Sequence, residues 1–419
     1  MKLILRNATI VNPGGKWHGQ SGDLVIERGA ISHFGPGAEL DGARVIEREN
    51  LHISPGFFDS GISTGEPGRE ERGTLESEVR AAALSGFTDV ALQPAGIPAA
   101  DNASQISWAL ARSQNLGSIA HPIGNLTREA KGKDLAEIYD MALAGAVAFG
   151  DYNKHIEEGN LLKIALQYSA DLGALVIAYC MDPSIAAKGL VHEGKTAGQL
   201  GLRGIPALAE ELAVSRNLMI LEYTGGRLHL PTISTAGSAN LIREAKKKGL
   251  DLTCSASVHH LTLDDGALTG FDTHVKVTPP LRSPRHVEAL REAVLDGTID
   301  MITSDHNPID VEHKKVEFAL AENGTTGLES AFGALGTVFD TDTVVQKLTS
   351  GRNRFKVAEK PLEIGAAAHL ALFDPDREWQ FSQRNILSRS KNSAFVGRSM
   401  KGFVYGSIIE NNLYLKDEN

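Results

Sequence analysis

The chain has 419 residues and a formal net charge of −10, with 42% hydrophobic and 22% charged residues. This composition is ordinary for a globular protein, and the negative charge argues against nucleic acid or an anionic membrane as a partner. No apolar run approaches the roughly 20 residues of a membrane span, and no signal-like segment opens the chain. Cys180 and Cys254 form no Cys-x-x-Cys pair, so we predict a cytoplasmic protein without disulfides.

The two ends of the chain are predicted to be rich in β-strands. Short β runs at residues 3–11, 23–27 and 43–47 are separated by glycine-containing turns. From about residue 365 the pattern returns, with predicted strands at 368–374 and 402–409. Neither end is long enough for a core of its own, so we predict that residues 1–54 and 365–419 form one small composite β-sandwich.

Between residues 55 and 364, apolar β runs alternate with amphipathic helical stretches. Eight such strands separated by helices predict an α/β fold, a (β/α)8 TIM-type barrel, because parallel strands need crossover connections. An open doubly wound sheet is the competing architecture. The predicted strands are 56–62, 87–93, 118–123, 146–151, 174–180, 218–223, 250–258 and 301–305, and the predicted helices include 74–84, 161–172, 205–215 and 239–248.

Several motifs lie at or near the C-terminal ends of these strands, where a barrel carries its working residues. Pro55-Gly56-Phe57-Phe58-Asp59, followed by Glu66-Pro67-Gly68, resembles the first barrel strand of dihydroorotases and allantoinases in the amidohydrolase superfamily. The resemblance extends from residue 1 to about residue 410. Further matches are Gly201-Leu202-Arg203-Gly204-Ile205-Pro206, Ile233-Ser234-Thr235, His259-His260-Leu261, Lys276-Val277-Thr278-Pro279-Pro280-Leu281-Arg282, Asp305-His306 and Gly327-Leu328-Glu329.

The resemblance implies a zinc site that this chain has mostly lost. In the family, zinc activates a water for hydrolysis of a cyclic amide, and an aspartate at the end of strand 8 moves the proton. The retained ligand positions are Asp151 on strand 4 and Asp305 on strand 8. Neutral hydroxyls are poor substitutes for imidazole on zinc, so no metal cofactor is expected. The four histidine positions of the family hold Gly61, Ser63, Tyr179 and Thr232.

The positions that bind substrate in the family have changed as well. An arginine and two asparagines are replaced by Gly65, Ala95 and Thr278, so the ligand of this chain cannot be named from the resemblance. Asp305, the retained family base, is expected to be vestigial, and Asp151 is expected to bind nearby backbone. With no cation between them, the two carboxylates are expected to face one mouth and repel each other, with Ser63, Tyr179 and Thr232 as hydrogen-bond donors.

Other polar residues near the strand ends are expected to be structural. His259 and His260 are predicted to point to opposite faces of a strand, which prevents both from binding one ion. His306 is expected to be a packing or hydrogen-bonding histidine. The mixed-charge run Arg69-Glu70-Glu71-Arg72 is expected to form a solvated loop.

Three hypotheses for function follow. The first is a non-catalytic dihydroorotase-like protein of pyrimidine biosynthesis, a homo-oligomer and possibly a structural partner of aspartate carbamoyltransferase, as the resemblance implies. The second is an active hydrolase of cyclic amides or ureides that uses zinc in a rebuilt site. The third is a small-molecule binding module that uses the empty barrel mouth.

Overall fold

The computed structural model describes residues 1–39 and 41–416. The N-terminal segment forms five strands, and consecutive residues of β1 and β2 are buried, so these two strands are covered on both faces. Strand β1 pairs antiparallel with β2, which places Leu5 opposite Leu24, and β2 pairs with β3. These strands are β1 (Lys2–Ile10), β2 (Ser21–Glu27), β3 (Ala30–Gly35), β4 (Arg44–Ile46) and β5 (His52–Pro55).

Eight parallel strands follow in the order in which they occur along the chain. They are β6 (Phe57–Ile62), β7 (Phe87–Leu92), β8 (Ile119–Gly124), β9 (Ala148–Phe149), β10 (Leu175–Ile177), β13 (Arg227–Leu230), β14 (Leu252–Ser257) and β15 (Met301–Thr303). A doubly wound sheet would reverse its strand order at a switch point. This order has no reversal, so the barrel prediction is confirmed. Strands β11 (Val191–His192) and β12 (Gly204–Ile205) form a separate parallel pair.

The barrel closes between its first and eighth strands through one carboxylate. Asp59 on β6 accepts hydrogen bonds from the hydroxyl of Thr303 at 2.6 Å and from the backbone N–H of Ser304 at 2.9 Å. Just beyond, the N–H of Ser63 donates to the carbonyl of His306 at 2.8 Å. Asp59 is fully buried, and burial raises its pKa. The Asp59 side chain therefore supplies part of the hydrogen bonding between the first and eighth strands, a junction that we call the seam.

The helices lie between the strands, as crossover connections require. Within the described ranges, no helix is both long and apolar enough to cross a membrane. Cys180 and Cys254 are buried free thiols, as predicted. The helices are α1 (Leu75–Leu84), α2 (Ala103–Ser113), α3 (Ile138–Ala144), α4 (Gly159–Asp171), α5 (Pro183–Ala186), α6 (Lys195–Leu200), α7 (Leu208–Thr224), α8 (Ala236–Lys247), α9 (Val258–Thr262), α10 (Pro284–Leu295), α11 (Val311–Lys314), α12 (Ala331–Leu335) and α13 (Thr341–Thr349).

One predicted strand is wrong. Residues 218–223 were expected to be strand 6, because a continuous apolar run is typical of a buried parallel strand. They form the last turns of helix α7 instead, and the sixth barrel strand is β13. The helix ends at Gly225, whose φ of +67° favours glycine. The strand prediction failed because α7 carries apolar residues on its outer face as well as on its inner face. The continuous apolar run therefore shows no helical period.

The C-terminal segment completes the terminal sheet with β16 (His369–Gln380), β17 (Ser399–Ile409) and β18 (Asn412–Leu415). Strand β16 pairs antiparallel with β5, so strands from both ends of the chain join in one hydrogen-bonded sheet, where a composite β-sandwich was expected. Its apolar face encloses a core of its own that includes Leu3, Leu24, Leu370 and Ile408.

An aromatic cluster joins this sheet to the barrel. Phe57 on β6, Phe332 on α12 and Phe373 on β16 are all buried. Ring centroids lie 5.7 Å apart for Phe57 and Phe332, and 4.7 Å apart for Phe332 and Phe373. Such pairs stabilise beyond the area that they bury, so barrel and sheet share part of their cores.

We predict that Phe332→Ala destabilises the chain by about 3–5 kcal/mol, and that barrel and sheet still unfold together. In equilibrium urea unfolding, circular dichroism and tryptophan fluorescence should report one coincident transition at a lower midpoint. Phe271→Ala is the control, because Phe271 is 47% exposed and its loss should change the midpoint little. Two separate transitions in the parent chain would contradict the shared core.

Candidate functional site

Asp305 lies just past the end of β15 with a φ of +48°, a backbone region that aspartate tolerates better than most residues. Its carboxylate is 3.7 Å from Nε2 of His259. Among the described residues, none donates a hydrogen bond to this carboxylate. Burial, together with the negative charge of Asp59, raises the pKa of Asp305 well above its usual value. Asp305 is thus a desolvated acid that favours its protonated form.

Asp151, the second retained carboxylate, accepts hydrogen bonds from residues that follow β8. Its Oδ1 accepts the backbone N–H groups of Leu126 at 3.0 Å and Thr127 at 3.1 Å. Its Oδ2 accepts the hydroxyl of Thr127. Burial nevertheless raises its pKa. Asp151 therefore anchors the chain that follows β8, which agrees with the expectation that it binds nearby backbone.

The expected repulsion between Asp151 and Asp305 is wrong. The carboxylate that raises the pKa of Asp305 is Asp59, and the groups that act on Asp151 are its hydrogen-bond donors. The two aspartates also line different cavities. The two aspartates are apart because Leu126 and Thr127, which follow β8, hold the carboxylate of Asp151 by hydrogen bonds.

The two positions on β6 and just past its end that carry histidines in the family have different surroundings. A Cβ atom at Gly61 would lie 2.3 Å from Nε2 of Gln93, so the amide of Gln93 occupies the place of a side chain at position 61. Ser63 is buried. An imidazole at position 61 would first have to displace Gln93.

The remaining two histidine positions hold neutral oxygens. The hydroxyl of Tyr179 is 2.9 Å from that of Thr278, so these two residues bind each other and not an aspartate as expected. Thr232, with a φ of +49°, lies two residues past the end of β13. Both line an inner cavity with Tyr152 and Asp305. Its volume of about 20 Å³ is room for about one water molecule.

A larger outer cavity of about 630 Å³ opens above this point and is lined by Ser63, Gly65, Ala95 and Asp151. Tyr152 lines both cavities and lies between them. A Cβ atom at Gly65 would lie 1.9 Å from the carbonyl oxygen of Arg69. That atom belongs to the backbone, so no side chain fits at position 65 unless the loop itself moves.

His259 and His260 differ from the expectation that they lie on a strand. Both are on the short helix α9, which begins immediately after β14, and their ring centroids are 4.5 Å apart. His260 has partners on both nitrogens: the hydroxyl of Ser257 at 2.6 Å and the carbonyl of Pro279 at 3.0 Å. Neither nitrogen of His259 has a hydrogen-bond partner among the described residues. Burial lowers its pKa well below the usual value, so it is neutral beside Asp305.

Two further expectations have opposite outcomes. Nε2 of His306 is 2.8 Å from the carboxylate of Glu78 on α1, and both side chains are fully buried, which is the structural role expected for His306.

The loop that contains Arg69 and Arg72 is only partly solvated, which differs from the expected solvated loop. Arg72 is buried between Glu322, 2.8 Å away, and Asp310, 3.2 Å away. These two carboxylates replace the water that was expected around Arg72.

Zinc, which the resemblance implies, does not fit the residues present. Across residues 1–39 and 41–416, no group of three or more His, Cys, Asp or Glu side chains is placed to hold a metal ion. Both oxygens of Asp151 accept hydrogen bonds from protein donors, and within the described ranges the only imidazole beside Asp305 is that of His259. One carboxylate and one histidine fall short of the three protein ligands that a catalytic zinc needs.

Sequence reasoning gave no role to three residues that shape the site, Asp59, Gln93 and Tyr152, and it placed His259 on a strand. Gln93 ends predicted strand 2 and Tyr152 directly follows predicted strand 4, so their position at strand ends was available as a signal. The role of Asp59 was not, because its partners, Thr303 and Ser304, lie more than 240 residues away along the chain.

Comparison with known proteins places this site in context. The family model described as Dihydro-orotase-like matches residues 51–238. A dihydroorotase of Pelotomaculum thermopropionicum is 40% identical over 425 residues, covering 100% of this chain and 99% of the relative. A dihydroorotase of Syntrophus aciditrophicus is 35% identical over 429 residues and covers 100% of both chains. Among solved structures, an L-hydantoinase from Arthrobacter aurescens has a TM-score of 0.85 at 21% identity, covering 98% of this chain and 95% of that one.

We predict that the two retained aspartates affect stability in opposite directions. Asp305→Asn should raise the free energy of unfolding by about 1–2 kcal/mol at pH 8, because it removes a desolvated ionisable group. The pKa of Asp305 is higher in the folded than in the unfolded chain. The gain should therefore vanish near pH 3, where the acid is protonated in both states, and grow as the pH rises.

Asp151→Ala should cost about 2–3 kcal/mol, since it leaves the buried N–H groups of Leu126 and Thr127 without an acceptor. Asp151→Asn, which keeps one acceptor oxygen, should cost less. Urea unfolding of each variant at pH 3 and pH 8 measures both effects. A large loss of stability at pH 8 in Asp305→Asn would show that the ionised acid is structurally required.

Proposed function

Because the chain belongs to the dihydroorotase-like family of pyrimidine biosynthesis, we propose that it is a non-catalytic member of that family. It keeps the barrel as a scaffold and does not hydrolyse a cyclic amide. Its role is that of a structural partner in a homo-oligomer, and aspartate carbamoyltransferase is the proposed hetero-partner.

One observation carries this proposal: at the mouth, a single family carboxylate, Asp305, remains free of protein donors. Metal-assisted hydrolysis needs a cation that lowers the pKa of a bound water. The positions that would supply the cation's ligands hold a glycine and three neutral hydroxyls, and Asp151 is bound to backbone. The inner cavity beside Tyr179, Thr232 and Asp305, at about 20 Å³, holds about one water molecule, and the cavity of about 630 Å³ outside it is lined by Asp151 but not by Asp305.

The outer parts of the molecule support the structural role. The motifs that build the barrel are retained, including Asp59 at the seam and the His306–Glu78 pair. A barrel that keeps its architecture while its metal-ligand positions have changed is best explained if its surface is in use. The alternative, a hydrolase with a rebuilt zinc site, would have to recruit His259 beside Asp305.

We predict that protein purified without chelator contains well under one zinc per chain by elemental analysis. Changes around metal ligands alone typically lower metal affinity about 10–100-fold, and four ligand replacements should lower it further. Dihydroorotate hydrolysis should be undetectable, with the Pelotomaculum thermopropionicum dihydroorotase assayed in parallel as the control. Stoichiometric zinc, or turnover that disappears in Asp305→Asn, would refute the non-catalytic role and support the rebuilt site.

We also predict that aspartate carbamoyltransferase activity co-sediments with this chain in an extract of its own cells. A tagged chain should shift that activity to a larger sedimentation coefficient, and an extract that lacks the chain provides the control. If the carbamoyltransferase activity sediments identically in both extracts, the proposed hetero-partner is wrong, whatever the zinc content.

A further inference from the structure

A third cavity, of about 640 Å³, lies against the segment that follows β15, and we call it the side cavity. Its walls come from three parts of the chain, at residues 271–274, 309–316 and 383–392. Neither Asp151 nor Asp305 lines it, and among the described residues Ile309 is the one that it shares with the cavities of the mouth. Sites for small molecules typically occupy about 300–1,000 Å³. The side cavity is therefore large enough for a small organic molecule.

Buried polar side chains fix the three walls to one another. Nζ of Lys314 donates to the carbonyl of Thr273 at 2.9 Å, and the hydroxyl of Thr273 donates to the carbonyl of Lys314 at 2.6 Å. In the third wall, Oδ1 of Asn392 accepts the N–H of Ile309 at 3.0 Å, and its Nδ2 donates to the carbonyl of Asn307 at 3.3 Å. Because these contacts already hold the walls, the cavity is formed before a ligand enters, which lowers the entropic cost of binding.

The apolar part of the lining is accessible to water. It consists of Phe271, Ile309, Val311 and Val316, of which Phe271, Val311 and Val316 are 47%, 67% and 40% exposed. The ring of Phe271 packs edge-on against that of Phe318, with the centroids 6.3 Å apart, so it presents a fixed surface. Covering exposed apolar surface stabilises a complex by about 25 cal/mol per Å². An apolar ligand body would therefore gain free energy in this cavity.

Two lysines add positive charge to the lining. The ammonium of Lys315 has no hydrogen bond or ion pair within the described part of the chain. Lys391 uses its ammonium on two backbone carbonyls, at 2.6 and 2.8 Å, and keeps one hydrogen for another acceptor. A charged donor without a partner at an apolar surface is a strong site for an anionic acceptor.

The acidic groups near the side cavity do not cancel this charge. Asp272, the one carboxylate in the described lining, accepts the N–H of His274 at 2.9 Å and lies 2.8 Å from its Nδ1. Glu312 and Glu317 are exposed on the same segment as Lys315 but do not line the cavity. In a chain of net charge −10, the cavity thus has a local excess of positive charge, which attracts anions.

We propose that the side cavity binds a small organic anion, with its apolar body against Phe271, Val311 and Val316 and its anionic group on the ammonium of Lys315. Small-molecule sites combine an apolar lining with a few polar groups that orient the ligand. The proposal goes beyond the non-catalytic role and does not rest on it, because zinc or turnover at the mouth would leave this cavity unchanged.

Fluorescence titration of the full chain with two dyes of the same aromatic body tests the need for an anion. 8-Anilino-1-naphthalenesulfonate carries a sulfonate, and N-phenyl-1-naphthylamine has the same rings without it. The sulfonate dye should bind at least ~10-fold more tightly, because a charge-assisted contact adds to the burial of the rings. Equal affinities for the two dyes would overturn the proposal.

Two substitutions at exposed residues separate the anion contact from the apolar lining. Lys315→Glu should weaken the sulfonate dye at least ~10-fold and leave the uncharged dye nearly unchanged. Phe271→Ala should weaken both dyes about 5-fold, since it removes apolar contact area. The matched control is Lys188→Glu, at an exposed lysine outside the cavity lining, which should behave like the parent. Binding of the sulfonate dye that survives both test substitutions would place the dye elsewhere and refute the assignment.

Acetylation of lysines in the unmutated chain, followed by mass spectrometry, gives a measurement that does not depend on variants folding. The sulfonate dye should slow acetylation of Lys315 and leave that of Lys188 unchanged. If Lys315 is acetylated at the same rate with and without the dye, the anionic group does not meet its ammonium and the proposal is wrong.

Discussion

The closure of the barrel depends on one buried carboxylate. Asp59 joins the first and eighth strands by accepting the hydroxyl of Thr303 and the N–H of Ser304, where backbone pairing is incomplete. A carboxylate buried at a seam imposes its charge on its surroundings, because the local dielectric is low. Asp305, two residues beyond Thr303, is affected by that charge. The same contact that closes the fold therefore favours the protonated form of the one acid left free at the mouth.

Several other buried charged groups in the barrel have hydrogen-bond or ion-pair partners. His306 lies beside Glu78, Arg72 beside two carboxylates, and the side chain of Asp151 beside three donors from residues 126–127. Asp305 and His259 differ, since neither side chain has a hydrogen-bond partner within the described part of the chain. A polar side chain buried without a partner, as His259 is, is costly and calls for an explanation.

The architecture could be predicted from the sequence because alternating β runs and helices leave few topologies, and the motifs at strand ends are local. The resemblance predicts, position by position, that metal ligands are absent at Gly61, Ser63, Tyr179 and Thr232. The strand predicted at 218–223 failed because an apolar run on a two-faced helix has no helical period. The sequence could not predict which groups form hydrogen bonds at the mouth. The partners Tyr179 and Thr278 are about 100 residues apart in the chain, and Asp59 and Thr303 are about 240 residues apart.

The loop that closes over Gly65 has a consequence for the history of this chain. A catalytic residue lost by a single substitution can return by a single reversal while its surroundings stay unchanged. Here the carbonyl of Arg69 lies where the first atom of any side chain at position 65 would be. Reversal at that position alone would produce a steric clash and no gain in substrate binding. A side chain can therefore return to position 65 only together with a rearrangement of the backbone around Arg69.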